Sequence, residues 1–283
     1  MNDIVVTDSN QSSLNVIPHS GIFSHPFLQD LKEGMLNWRI WLLLSWQDIR
    51  LRYRRSQLGP FWLTISMALT IYMMGFLYSH LLHLPVQHYF PFLAAGLLVW
   101  QFIALMIGDG INIFIQAEHF IKQVKLPYSV YVLRVIMRTF IIFLHNIIVL
   151  VPLYFFFHIQ LSLAFLMVVP GVILLLLNAY FFGLILAIIG ARFRDLAQLI
   201  TSLIQIIFFV TPIMWNPVTL PERYQIWVKL NPFAHLIEVL RAPLISEMPS
   251  LFSFVFVLCI TLFGACFAAG LFKRNRHRII FWI

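Results

Sequence analysis

His25 and Asp30, in His25-Pro-Phe-Leu-Gln-Asp30, have the spacing at which a carboxylate can orient an imidazole as a general base. Some lipid acyltransferases use such a pair. Here it falls in a polar segment rich in Asn, Ser and Asp with no supporting motif, so a lipid-modifying enzyme is only an alternative reading. His80, His83 and His88 could offer imidazoles to a metal, but no nearby Cys, Asp or Glu completes a ligand set, and no metal site is expected. His145 stands alone beside Asn146 in an apolar run, which suits a satisfied packing residue better than a proton relay. The chain has no Gly-Lys dipeptide, hence no phosphate-cradling Walker loop, and no Asp-x-Asp signature for a metal–nucleotide complex. No catalytic residue is expected, and no cofactor held by this chain.

The remaining chemistry is cationic. In Trp46-Gln-Asp-Ile-Arg-Leu-Arg-Tyr-Arg-Arg-Ser-Gln-Leu-Gly-Pro-Phe-Trp62, Arg50, Arg52, Arg54 and Arg55 cluster ahead of a long apolar run. Wound as a helix, residues 36–55 place Trp38, Leu42, Trp46, Ile49 and Tyr53 on one face and the arginines with Asp48 around the rest. Such a helix lies in the membrane surface, its basic side meeting lipid headgroups. Gly59-Pro60 ends it.

Composition agrees with a membrane setting. A chain of 283 residues that is 61% hydrophobic and 11% charged has too little polar surface to cover a soluble globule. Its formal charge of +8 sits at the ends of apolar runs, which points to anionic lipid and not to nucleic acid. Cys259 and Cys266 lie on one apolar helix, too far apart to bridge, and read as small packing residues. Residues 1–30 hold no apolar h-region, so no secretory signal peptide is expected.

The expected fold is all-α and polytopic: a flexible cytoplasmic tail over 1–34, an amphipathic interface helix over 35–58, and one membrane domain over 59–283. Six spans are expected at about 61–82, 91–115, 139–157, 161–190, 196–215 and 250–272. Of 19 Lys and Arg residues, 16 fall in the segments this topology puts inside, which places both termini in the cytoplasm. Asp109 falls near the inner end of the second span, and 116–138 reads as an inside loop carrying Glu118, Lys122, Lys125, Arg134 and Arg138. Gln198, Thr201, Ser202 and Gln205 form a polar stripe at helical spacing on the fifth span; they either bond a neighbouring helix or line a wet path. Between the last two spans, Pro212, Pro217, Pro221, Pro232 and Pro243 cut the chain into pieces too short to cross a bilayer. That segment is either a gate on the outer side of a pathway or an interfacial loop joining two spans.

Several of these pieces, taken in order, resemble the membrane subunit of ATP-binding-cassette exporters of bacterial polysaccharides. They are Asp48-Ile-Arg-Leu-Arg-Tyr-Arg-Arg-Ser-Gln-Leu-Gly-Pro-Phe-Trp62, Ile121–Pro127, Arg192-Phe-Arg194-Asp195-Leu196 and Thr211-Pro212-Ile213-Met214-Trp215. Leu230-Asn231-Pro232 with Glu238 and Arg241, and the closing Arg278-Ile-Ile-Phe-Trp282-Ile, complete the likeness over about 35–283. The resemblance implies a permease domain in a homodimer, with two copies of a cytoplasmic ATPase that uses ATP and Mg. It also implies a lipid-linked glycan of O-antigen, capsule or teichoic-acid type as substrate, moved across the bacterial inner membrane. The coupling segment would be Ala117–Tyr128, with Glu118, Lys122, Lys125 and Pro127; the first and fifth spans would line the pathway. The outer gate would include Pro212, Trp215, Trp227, Asn231 and Pro232, and the arginine face could also meet a lipid-linked pyrophosphate. A permease for a drug, peptide or lipid is the alternative, because the architecture does not encode cargo.

Overall fold

The computed structural model describes residues 26–52, 59, 61–81 and 83–283, with Thr219 described by its backbone alone. Two helices come first, α1 (Pro26–Leu36) and α2 (Trp38–Arg52), followed by α3 (Phe61–Leu81) and α4 (Val86–Gly110). Two short helices, α5 (Ile113–Gln116) and α6 (Glu118–Gln123), lead to α7 (Tyr128–Ile147) and its continuation α8 (Leu150–Phe156). A 3-10 turn at Leu163–Met167 opens α9 (Val168–Arg192), and α10 (Leu196–Val210) follows. The chain closes with α11 (Glu222–Leu230), α12 (Pro232–Leu244), α13 (Leu251–Asn275) and α14 (Ile279–Trp282). Among the described residues there is no strand. Five stretches, Phe61–Leu81, Val86–Gly110, Tyr128–Phe156, Leu163–Arg192 and Leu251–Asn275, are long and apolar enough to cross a membrane. The fifth expected span is shorter: α10 has 15 residues, about 22 Å of rise, before Thr211 turns the chain.

α4 is the axis of the bundle. It packs against α3, α7, α9, α10 and α12 and is buried along most of its length. Helices in lipid approach closely where side chains are small, because dispersion contacts take over from the hydrophobic effect. Gly75 on α3 receives the ring of Phe90, and Gly110 meets Leu186 and Gly183 of α9. Gly190, one turn deeper, lies so close to the Ile111 carbonyl that a Cβ would overlap it. Large apolar side chains on α3, α10 and α13 face outward, among them Phe76, Phe209 and Phe263. Cys259 and Cys266 are exposed on α13 and take no part in the packing within the subunit.

Three differences from expectation have physical causes. The third span starts at Tyr128, because Arg134 and Arg138, inside α7, are paired by Asp48 of α2 and Asp109 of α4 and need no loop in water. The tail expected over 1–34 is helical from Pro26, because Asp30 binds the open N-terminus of α7. Its Oδ1 accepts from the Tyr128 N–H at 2.9 Å, and its Oδ2 from the Ser129 N–H at 2.8 Å and from the Ser129 hydroxyl. Pro127, at the cap position, has no side-chain acceptor, so the cap comes from another helix. Gly34 allows the approach, since a Cβ there would lie 2.5 Å from that of Ser129. The third difference is that α2 packs on α7. Ser45 and Ile49 are buried and Asp48 is nearly so, against α7, whereas Trp38 and Trp46 are half exposed. Tyr53 lies outside the described residues.

Asp30→Ala is expected to lower stability by about 1–3 kcal/mol by orphaning buried donors, and Asp30→Asn by less. The check is the thermal unfolding midpoint of the purified protein. Burial raises the Asp30 carboxyl above its ordinary 3.8, outweighing the hydrogen bonds from Ser129 and Tyr128. The folded state therefore holds that proton more tightly than the unfolded one. From 3.8 up to the raised value, stability falls as pH rises, and above it this contribution is constant. Subtracting the Asp30→Asn profile from the wild-type profile isolates it.

Candidate functional site

Two polar constellations occupy opposite ends of the bundle. The first joins α2, α4 and α7. Asp48 accepts from Arg134 through two nitrogens, Nη2 at 2.6 Å and Nε at 2.8 Å, a fork that fixes both side chains. Arg138 then bridges two helices, donating from Nη1 to Asp48 at 3.3 Å and from Nη2 to Asp109 at 2.8 Å. Two guanidinium groups and two carboxylates balance in charge, with side chains from 9% to 24% exposed. Charges removed this far from water persist only when paired.

That network reaches the surface through α6. The guanidinium of Arg134 lies 5.8 Å from the ring centroid of Phe120. Around it α6 presents Lys122 and the chain just after it Lys125 to solvent, anchored from below by buried Ile121. Lys122 Nζ donates to Glu118 Oε1 at 2.7 Å, and this hydrogen bond and the ammonium charge hold the Glu118 carboxyl below its ordinary value. Pro127 stands at the extended cap of α7. The four residues expected in a coupling segment thus share one surface hairpin, with Phe120 and Val124 as its exposed apolar contacts. Arg50 and Arg52 project from α2 into the exposed surface, while Arg54 and Arg55 lie outside the described residues.

The second constellation surrounds the turn after α10. Asn231 caps α12 by accepting from the Phe233 N–H at 3.0 Å, Pro232 supplies the first helical residue, and Asn231 Nδ2 donates to Thr211 Oγ1 at 3.1 Å. Arg241 Nη1 donates to the Pro212 carbonyl at 2.8 Å, and Tyr89 hydroxyl to the Met214 carbonyl at 2.8 Å. Side chains from α4, α12 and the α12 cap thus hold one turn at three successive points. Trp215 Nε1 donates to the Phe209 carbonyl at 3.3 Å, tying the turn back to α10. Trp227 is exposed on α11 and takes no part in these bonds. Behind α12, His235 Nε2 lies 3.0 Å from the Lys229 carbonyl and Nδ1 lies 2.7 Å from Ser253 Oγ, which donates to Glu238 at 2.8 Å.

Between the two ends runs α10. None of its residues is buried, and it leans on α4 through Ile204, Ile207 and Phe208. Gln198, Thr201, Ser202 and Gln205 are all exposed. Thr201 and Ser202 donate only to their own helix, at Ala197 and Gln198. No neighbouring helix of the subunit accepts this stripe among the described residues. Likewise, no three potential ligands converge on a metal among them, and His80 Nδ1 lies 2.8 Å from the Phe76 carbonyl of its own helix.

Sequence reasoning missed the ion network that joins α2, α4 and α7. Its signal was legible: Arg134 and Arg138 one helical turn apart in an apolar pattern, opposite lone acids at Asp48 and Asp109.

The family profile described as ABC-2 type transporter matches residues 39–245, from α2 to the end of α12. The chain belongs to the ABC-2 type transporter family. The first constellation and the bonds that hold the turn after α10 lie within that match. Among curated proteins, the chain is 27% identical over 200 residues to an O-antigen export system permease protein RfbA of Klebsiella pneumoniae, covering 69% of this chain and 76% of that protein. It is 24% identical over 206 residues to the protein of the same name in Myxococcus xanthus, with the same coverage of 69% and 76%. The polysialic acid transport protein KpsM of Escherichia coli is 24% identical over 229 residues, covering 77% of this chain and 87% of its own. As an ABC-2 membrane subunit, the chain is a transport component working with a separate ATP-binding subunit.

Proposed function

We propose that this chain is the channel-forming subunit of an ATP-driven exporter that moves a lipid-linked polysaccharide across the bacterial inner membrane. It acts as a homodimer with six spans per subunit, α10 being the fifth, both termini cytoplasmic, and two copies of an ATPase that binds ATP and Mg. The observation that carries this reading is the exposed polar stripe of α10, in a chain whose relatives are named for O-antigen and polysialic acid transport. A spanning helix with four exposed polar side chains, none bonded to another helix of the subunit among the described residues, is costly in lipid, whereas it suits the wall of a wet conduit. The arginine face of α2 meets anionic headgroups, and the α6 hairpin docks the ATPase through Phe120, Lys122 and Lys125. The Phe120–Arg134–Asp48 contacts carry ATPase motion to α2, and Arg138 carries it to α4 at Asp109. The turn at Thr211–Trp215 then opens or closes the outer end.

The direct test is loss of surface glycan on deletion of the gene, with rescue in trans and co-purification of an ATP-binding subunit. Normal surface glycan in the deletion strain would sink the cargo assignment. Replacing Glu118, Lys122 and Lys125 by alanine together is expected to leave insertion intact. Export should fall at least tenfold, and ATP hydrolysis should no longer respond to the membrane subunit. Unchanged export and hydrolysis would remove α6 from the coupling route.

A further inference from the structure

A cavity of about 520 Å³ opens beside the outer turn, lined by the outer end of α4, the chain at 216–217 and the end of α12. This lies within the range of pockets that hold small ligands. Arg241 in its wall is 7% exposed, with its guanidinium carbon 3.9 Å from the Phe92 ring centroid. Its one hydrogen bond to the described residues goes to Pro212, and it is in none of their ion pairs. A guanidinium offers more N–H donors than that single bond uses. Glu238 and Glu247 supply acceptors in the same wall, and His88 and Tyr89 add an imidazole and an aromatic ring. Two carboxylates disfavour an anion, and the buried cation disfavours a cation. What fits is an uncharged ligand whose groups both donate and accept and whose ring has apolar faces, which are the properties of a sugar.

We propose that this cavity is a sugar-binding subsite for an uncharged glycosyl residue, placed to hold the glycan beside the outer turn. The proposal rests on the polysaccharide reading above. The test uses the full chain with its ATP-binding subunit in phospholipid nanodiscs. The probe is the repeat-unit oligosaccharide released by mild acid from the host's own surface glycan, with binding read by saturation-transfer NMR. Glu247→Gln combined with His88→Ala, both at exposed positions, is expected to weaken binding at least tenfold, and Arg241→Lys to do the same. Should Arg241→Lys fail to fold, the exposed-position variant decides alone. Binding unaffected by the variants overturns the subsite. So does binding of inorganic phosphate that Arg241→Lys abolishes, because the site is then one for anions. Glycan export by the same strains is read in parallel. Export without oligosaccharide binding removes the subsite and leaves the transport function, whereas absence of glycan export removes both.

Discussion

Arg138→Ala is expected to destabilise the protein by about 3–5 kcal/mol, the cost of breaking a buried ion pair by removing one partner. Arg138 donates to both Asp48 and Asp109, so its loss leaves two carboxylates to one guanidinium. The cost is a desolvation penalty more than a lost attraction, which gives the prediction its shape. Removing Asp109 as well, in Asp109→Asn, should recover much of the loss, because Arg134 and Asp48 then balance each other. A double-mutant cycle should therefore show coupling well above the few tenths expected of independent sites. The measurement is unfolding in mixed micelles, with exposed Arg274→Ala as the control. If Arg138→Ala is as mild as that control, the network does not hold α2, α4 and α7 together. Asp48→Asn carries the functional half of the test: it keeps most of the packing while loosening α2. It should lower export more than its effect on protein level explains.

Gly190→Ala should also be costly, for a different reason. The added carbon would overlap the Ile111 carbonyl oxygen, which is backbone and cannot rotate away as a side chain end can. Either α9 moves off α4 or the Gly110–Asn112 break reforms. Overpacking of well-filled interiors typically costs about 1–3 kcal/mol, and a backbone obstacle puts this case at or above the top of that range. Gly270 on α13 has nothing within 4 Å of where its Cβ would stand, so Gly270→Ala is a matched helical control, expected to be neutral or slightly stabilising. Equal yields and melting points for the two variants would refute the close approach of α9 to that break.

Five of the six expected spans were legible as long apolar helices, because a bilayer forces backbone groups to bond within the segment, so length and hydropathy almost suffice. Their ends were less so. Reading Arg134 and Arg138 as loop residues followed the rule that charge avoids the hydrocarbon, and it failed where two acids on other helices neutralise them. Asp30 was similar. Its spacing to His25 suggested catalysis, but its oxygens are taken up by the first turn of α7, a partner about a hundred residues away that no local pattern shows. The proline-cut segment between α10 and α13 announced itself. The anchoring of its turn by Tyr89 and Arg241 did not, because those contacts exist only once α4 and α12 stand side by side.

The open face of α10 bears on how much of this protein a cell can keep. A helix of 15 residues that buries none of them within its own subunit takes little stability from that subunit. Anything that covers it only in the assembled state adds stability by mass action, in proportion to the logarithm of partner concentration. An orphan copy would therefore be the species most exposed to membrane proteolysis. Its abundance would follow the supply of partners more closely than its own rate of synthesis.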